Sequence, residues 1–152
     1  QLPFQDASFD AIVSADVLCH SGVDVDAALA DFHRTLRPDG VLVLSLPAYQ
    51  WMMSFHDRAV STERRFNRTQ LRARIQRAGY GEVRITYWNT LLFPVMMLHR
   101  KLGNQAASSD VRPVAAPVDT IFRTIMWIEN RLLRWGIVLP FGGSVLLTAK
   151  RL

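Results

Sequence analysis

Two apolar runs joined by one helical pattern limit the possible folds of this 152-residue chain more than any other feature. The runs are FDAIVSA at Phe9–Ala15 and VLVLSLPA at 41–48. Between them, Val25 and Leu29 recur at helical spacing after Asp24, a residue suited to cap a helix. A strand, a helix and a strand with short connections predict a right-handed parallel crossover. Because both runs are apolar on both faces, we expect an α/β sheet covered on two sides.

A second helix and two more strands are predicted further along the chain. Asn67 is suited to cap a helix, with Gln70 as its capping-box partner, and Gly79 is suited to end it. The stretch EVRITYWN at 82–89 alternates in the way of a strand, and SVLLTAKRL at 144–152 is typical of a last strand. One domain over residues 1–152 accommodates all these elements.

The segment 90–140 interrupts this pattern with apolar helical sequence. Its uncharged runs are too short to cross a bilayer, which needs about 20 apolar residues. The stretch 103–117 is small, polar and proline-containing, which predicts a mobile loop. The stretch 118–136 is amphipathic, with one apolar stripe made of Ile121, Ile125, Ile128, Leu132 and Trp135. We therefore predict a helical insertion that serves as an active-site lid or lies on a membrane surface.

Charge is distributed unevenly along the chain. Up to Asp57 there are 8 acidic and 2 basic residues, whereas the remainder carries 5 acidic and 16 basic residues. A basic second half favours an anionic partner, such as nucleic acid, an anionic membrane or a phosphorylated substrate. Nucleic acid is not expected, because basic residues are not interleaved with a platform of aromatic side chains.

The single cysteine, Cys19, excludes an internal disulfide and predicts a reduced, cytoplasmic protein, with peripheral membrane contact left open. No cluster of cysteine and histidine predicts a metal site, so no metal is expected.

Two stretches resemble one enzyme family. LPFQDASFDAIVSADVLCH at 2–20 and FHRTLRPDGVLVLSLPA at 32–48 are similar to the second half of class I S-adenosylmethionine-dependent methyltransferases, of the type 11/12 kind. The loop HDRAVSTERRF at 56–66 and the closing LPFGGSVLLTAKR at 139–151 are similar to one branch of that family.

The resemblance implies a Rossmann-like sheet in which this chain supplies strands four to seven, the last of them antiparallel. Strands one to three, with the glycine-rich cofactor loop, would then lie outside the chain. We therefore expect this chain alone to be inactive and to bind S-adenosylmethionine poorly.

The resemblance also implies where the cofactor binds, since ligands of such sheets sit beyond the carboxyl ends of the strands. The implied S-adenosylmethionine contacts are Leu2, Ser14, Ala15 and Asp16. His20 would lie near the transferred methyl group as a catalytic base. Two other interpretations stay open, in which Asp16 caps the following segment and His20 is a packed or capping histidine.

The loop after the second apolar run should lie at the same edge and contact the methyl acceptor. The candidate acceptor-binding residues are Tyr49, His56, Asp57, Arg64, Arg65 and Glu129. The two arginines would bind a phosphate or carboxylate. Alternatively, the loop is a solvated approach to a helix with weak local pairs to Glu63, and Glu129 is paired with an arginine.

The predicted reaction is direct methyl transfer from S-adenosylmethionine to an amphiphilic or lipid-linked small molecule held under the insertion. One alternative is a noncatalytic membrane-surface or partner-binding module. Another is a nicotinamide-dependent Rossmann enzyme, which a different fingerprint in upstream sequence would indicate.

Overall fold

The computed structural model of the chain describes residues 1–102 and 116–152, without the side chains of residues 55–56, 99–102 and 116–117. The elements are β1 Phe9–Ala15, α1 Val25–Thr35, β2 Leu36–Pro47, a 3-10 helix Gln50–Met52, α2 Phe55–Ala59, α3 Arg68–Arg77, β3 Tyr80–Trp88, α4 Phe93–Leu102, α5 Ala116–Arg134 and β4 Ser144–Arg151.

The strands described form one four-stranded sheet in the order β1-β2-β4-β3. β1 and β2 are parallel, with Val13 opposite Val43, so the predicted crossover is confirmed. β4 is antiparallel to both β2 and β3. The last strand of the chain therefore lies inside the sheet, between strands that precede it by many residues, and the predicted antiparallel last strand is confirmed.

Both predicted helix caps are confirmed. The Asp24 carboxylate accepts hydrogen bonds from the backbone N–H groups of Asp26 and Ala27, each at 3.0 Å, at the start of α1. The Asn67 side chain accepts one from Gln70 N–H at 2.9 Å at the start of α3. These bonds satisfy backbone donors that lack partners within the helix.

The second strand is longer than its apolar run at 41–48 predicts, because β2 begins at Leu36 and includes the turn-forming residues 37–40. Phe9 of β1 lies opposite Leu36 of β2, whereas Ala11 lies opposite Val41. β2 therefore carries an irregular bulge between Leu36 and Val41. Asp39 lies there with φ +62°, a left-handed conformation that aspartate tolerates better than most residues. The turn-forming residues 37–40 lie in this bulge, and the strand continues beyond them.

The helices α1 and α3 cover one face of the sheet. The fully buried side chains of that layer are Leu29, Leu42, Leu44, Leu46, Leu71, Ile75, Val145 and Leu147. The expectation of a sheet covered on two sides is wrong for β1, since Ala11 and Ala15 are exposed and Val13 is 72% exposed. An apolar run predicts that both faces can be buried, but only the surrounding structure decides whether they are.

Only part of the predicted apolar stripe of α5 packs inward. Ile125 and Leu132 are half-buried on the same side as Glu129, which is fully buried, whereas Ile121 is 56% and Trp135 72% exposed. The helix begins at Ala116, and the loop predicted at 103–117 otherwise falls outside the described residues. None of the helices in the described ranges is long and apolar enough to cross a membrane.

Candidate active site

The ends of β1 and β2 meet the loop between α2 and α3 at one edge of the sheet. Glu63 N–H donates to the Cys19 carbonyl at 2.9 Å, just beyond β1. Phe66 N–H donates to the Pro47 carbonyl, and Tyr49 N–H donates to the Phe66 carbonyl, both at 2.9 Å. The loop is therefore hydrogen-bonded to both strand ends and forms a wall of this edge.

A buried ion pair holds this wall. Arg65 Nη2 lies 2.5 Å from Asp57 Oδ1, and the two side chains are only 4% and 7% exposed. Arg65 Nη1 donates to the Ala48 carbonyl at 3.0 Å, and Asp57 Oδ2 accepts from Ser54 N–H and Oγ–H at 2.7 Å. Burial acts to raise the pKa of Asp57, but the hydrogen bonds from Ser54 and Arg65 outweigh it and lower that pKa below its usual value.

Asp57 and Arg65 were predicted to bind the acceptor, but in the structure they bind each other and nearby groups of the protein. Both terminal nitrogens of Arg65 have partners within the protein, so the guanidinium joins the loop to β2 instead of lying free for an anion. The side chain of His56, predicted to act with Asp57, lies outside the described residues.

Arg64 lies on the other side of the loop. Its Nη1 donates to the Val23 carbonyl at 2.6 Å and its Nη2 to Glu63 at 2.9 Å. The Glu63 contact is the local pair that the solvated-loop interpretation anticipated. A basic cleft of about 440 Å³ opens beside it, lined by Arg64, Arg65, Phe66, Gln70, Ala73, Arg74 and Arg77.

Ser14, Ala15 and Asp16 lie together at the carboxyl end of β1. Ser14 is 5% exposed, and its buried Oγ has no hydrogen-bond partner among the described residues. Asp16 adopts φ +53°, and its N–H donates to the Ser45 carbonyl at 2.8 Å. Desolvation raises the pKa of Asp16, although the nearby His20 and Arg65 act in the opposite direction. The edge thus presents the exposed Asp16 carboxylate to any ligand bound there, whereas the Ser14 hydroxyl lies in the interior.

His20 follows at the same edge and pairs with the loop. It forms an isolated bridge with Thr62, and its Nδ1 lies 3.4 Å from the Ser61 carbonyl oxygen. With the proton on Nδ1, the ring donates weakly to that carbonyl and Nε2 is left as an acceptor. The neighbouring Cys19 is buried, and desolvation raises the pKa of its thiol, which therefore stays protonated at neutral pH.

Leu2 does not join this group. Its N–H donates to Asp31, and its carbonyl accepts from Arg34 Nη2 at 3.2 Å. Both partners are in the last turns of α1, which runs back from the edge where Asp24 lies. The structure thus places Leu2 toward the opposite edge from Asp16.

An aromatic cluster at the end of β2 was not predicted. The Tyr49 ring is stacked between Tyr87 at 5.2 Å and Trp51 at 5.6 Å, measured between ring centroids. Phe93 lies 5.8 Å from Tyr49, and Phe141 lies 5.8 Å from Phe93. Trp51 and Phe141 are 62% and 43% exposed, so the cluster has an open face. Desolvation and a hydrogen bond with Tyr87 raise the pKa of Tyr49 to about 12, so its phenol is neutral.

Sequence patterns missed this cluster because its rings come from four separate parts of the chain. The spacing of Tyr49 and Trp51 was the available local signal, and it falls just after an apolar strand. Tyr49 was predicted to bind the acceptor without its aromatic neighbours.

Glu129 fastens the insertion to the rim of the aromatic cluster. Its carboxylate accepts from the N–H groups of Thr90 at 3.0 Å and Leu91 at 3.3 Å. Thr90 Oγ1 in turn donates to the Phe141 carbonyl. The buried carboxylate is thereby paired with backbone donors, and neither an arginine nor open solvent supplies its partners in the described parts of the chain.

A family model described as a methyltransferase domain matches residues 1–44. The match covers β1, α1 and most of β2, and the sheet continues it with an antiparallel last strand between β2 and β3. Residues 1–44 are thus similar to a methyltransferase domain. The Rossmann-like fold class is confirmed, and the family model together with the fold supports the resemblance to S-adenosylmethionine-dependent methyltransferases.

Solved methyltransferases share this fold at low sequence identity. One from Thermotoga maritima, titled a possible histamine N-methyltransferase, has a TM-score of 0.57 and 17% identity and covers 100% of this chain and 60% of its own. A methyltransferase from Archaeoglobus fulgidus has a TM-score of 0.53 and 14% identity, and the match covers 97% of the present chain and 62% of the Archaeoglobus chain. The phosphoethanolamine N-methyltransferase 2 of Haemonchus contortus has a TM-score of 0.52 and 13% identity, and the match covers 97% of the present chain and 34% of the Haemonchus chain.

The present chain thus spans less than two thirds of the length of each of these methyltransferases. No curated protein matches it. At these identities the structural likeness shows the fold alone.

Proposed function

We propose that this chain takes part in methyl transfer from S-adenosylmethionine to an amphiphilic small-molecule acceptor. The observation that carries the proposal is the meeting of polar and aromatic groups at one sheet edge. Asp16 and His20 follow β1, whereas Tyr49 and Trp51 follow β2, and the loop held by Arg65 connects the two strand ends. Open α/β sheets bind ligands at such an edge.

The residues at the end of β1 fit the donor. The Asp16 carboxylate at this edge suits a cationic sulfonium. The Haemonchus enzyme was solved with S-adenosyl-L-methionine and with S-adenosylhomocysteine, which supports the same cofactor here.

S-adenosylmethionine, when bound, supplies a methyl group for direct displacement by a nucleophile. The protein then has two tasks, of which the first is alignment of the acceptor, the main requirement of such a reaction. The second is removal of a proton from an oxygen or nitrogen acceptor, which His20 Nε2 performs as it becomes the imidazolium.

The aromatic cluster supports an acceptor with an apolar portion. Trp51 is exposed while stacked on Tyr49, and Phe141 extends the cluster through Phe93. Ring faces of this kind bind apolar or planar groups by stacking and burial. An acceptor with one apolar part and one nucleophilic part would contact both regions at once.

The test is a methyl-transfer assay on the full-length protein with radiolabelled S-adenosylmethionine. Paired acceptors would carry the same nucleophile with and without an apolar group. Trp51→Ala should raise the KM for the apolar acceptor about five- to tenfold, the equivalent of one lost stacking contact. His20→Gln should lower kcat with little change in KM.

In this assay, run without lipid, Trp135→Ala is the matched control, because Trp135 is also an exposed tryptophan but lies outside the aromatic cluster. Equal turnover of the paired acceptors, or an unchanged KM in Trp51→Ala, would overturn the amphiphilic specificity. Absence of methyl transfer to every acceptor would overturn the enzymatic role and favour the noncatalytic alternative.

A further inference from the structure

The outward side of α5 carries apolar side chains that the methyl-transfer site does not use. Ile121, Ile128 and Trp135 are spaced by seven residues, so they lie along one flank of the helix. They are 56%, 40% and 72% exposed, and Trp127 adds a second indole that is 60% exposed. A contiguous apolar surface of this kind on a folded protein marks a contact site.

Basic side chains accompany this flank. Arg123, Arg131 and Arg134 are exposed on the same outward half of α5. Asp119 neutralises Arg123 at 2.7 Å, whereas Arg131 and Arg134 have no carboxylate partner among the described residues. The Arg131 guanidinium lies 5.2 Å from the centre of the Trp127 ring. The surface is therefore both apolar and positively charged.

The exposed apolar surface continues along the chain toward the aromatic cluster. Beyond Trp135, Ile137 and Val138 are 43% and 51% exposed, and Phe141 of the cluster follows at 43%. Glu129 fixes α5 to the same rim through Thr90 and Leu91. Exposed apolar residues thus follow the chain from the α5 flank to Phe141 at the rim of the aromatic cluster.

We propose that this α5 flank docks on an anionic phospholipid surface. The isoleucines would enter the boundary of the acyl region, the indoles would lie at headgroup level, and the arginines would pair with anionic headgroups. The positive charge beside the apolar flank, unpaired within the described residues, is complementary to an anionic lipid surface, which favours lipid as the occupant. A docked α5 would bring the aromatic cluster next to the lipid, so that an amphiphilic acceptor could reach the site from the membrane. This part of the inference rests on the proposed function.

The test is sedimentation of the full-length protein with sucrose-loaded vesicles, without S-adenosylmethionine. Vesicles of phosphatidylcholine mixed with phosphatidylglycerol should bind the protein, and vesicles of phosphatidylcholine alone should bind it at least about tenfold more weakly. Arg131→Glu should weaken binding to the mixed vesicles about tenfold. Trp135→Ser should weaken binding to both.

Arg77→Glu and Leu152→Ser are the matched controls, since they change an exposed arginine and an exposed apolar residue away from α5. Equal losses in the controls, or no binding to either vesicle, would overturn the proposal. A dimer that Trp135→Ser abolishes, without vesicle binding, would make a second copy the occupant and also overturn it. Methyl transfer to a water-soluble acceptor, assayed without lipid, reports on the proposed function separately.

Discussion

At the scale of single residues, burial decides what the charged loop does. The segment 56–66 is rich in charge, and charge alone predicts either a solvated surface or an anion site. In the structure, Arg65 and Asp57 are buried against each other and bound to backbone and Ser54. Their role in the proposed reaction is therefore to position the loop, while Asp16 and His20 face the ligand edge.

Asp57→Asn should lower the free energy of unfolding of the full-length protein by about 3–5 kcal/mol, because it leaves the buried guanidinium of Arg65 without its counter-charge. Denaturation in urea measures this loss. The control is Asp10→Asn, because Asp10 pairs with Arg37 at 2.6 Å but is 82% exposed in its side chain. Such a surface pair contributes at most about 1 kcal/mol.

The same substitution should change the pH dependence of stability. The pKa of Asp57 is lowered in the folded state, so its stabilising contribution is present above the unfolded value of about 4. It is lost as the pH falls through the folded pKa. The stability difference between the native protein and Asp57→Asn should therefore shrink in acid, and a constant difference would contradict this account.

At the scale of elements, α5 shows how one buried polar residue can orient an amphipathic helix. Ile125 and Leu132 of the apolar stripe are half-buried on the same side as the fully buried Glu129, whereas Ile121 and Ile128 of the same stripe are exposed. A buried carboxylate is costly unless it is paired, and the N–H groups of Thr90 and Leu91 supply that pairing. The helix orientation thus follows from hydrogen bonding as well as from apolar burial.

Glu129→Gln should loosen this attachment while keeping the side-chain size. The neutral amide offers one acceptor oxygen where the carboxylate offers two, and it loses charge-assisted hydrogen bonds. Hydrogen exchange at the amides of Thr90 and Leu91 should become about tenfold faster, as measured by mass spectrometry. Asn130→Gln, on the exposed side of α5, is the control, and equal rates in both variants would refute the anchoring role.

At the scale of the whole molecule, the sheet depends on pairings between distant parts of the chain. β4 pairs with β2 over seven residue pairs, from Val41 with Lys150 to Pro47 with Ser144. Such long-range contacts form late and slow the folding of the chain. The last strand is thus essential to the sheet, although it carries no residue of the candidate site.

Leu147→Ala tests this dependence, because Leu147 is fully buried in the centre of the sheet. The cavity should cost about 2–5 kcal/mol in the free energy of unfolding of the full-length protein. Leu152→Ala, at a side chain that is 80% exposed, should change it by no more than about 0.5 kcal/mol. Similar losses for the two variants, measured by urea denaturation, would contradict a core centred on β4.

Most of the secondary structure and the parallel crossover were predictable because they depend on local signals, whereas the antiparallel last strand was implied only by the family resemblance. The caps at Asp24 and Asn67 act on backbone groups within three residues, and a strand-helix-strand unit has one favoured hand. The site was predictable only in position, at the carboxyl ends of β1 and β2. The partners of Arg65 and Glu129 were not, since they lie far away in sequence.

The sequence by itself determined most of the elements, the parallel crossover and the resemblance to a methyltransferase domain, because hydrophobic periodicity, capping residues and motifs are local features of the chain. Only the tertiary structure decided which charges are buried, which rings form the aromatic cluster and which flank of α5 faces outward. Those outcomes depend on contacts between segments such as Ala48 with Arg65 and Thr90 with Glu129. Burial and pairing are properties of a three-dimensional environment, and no local pattern specifies them.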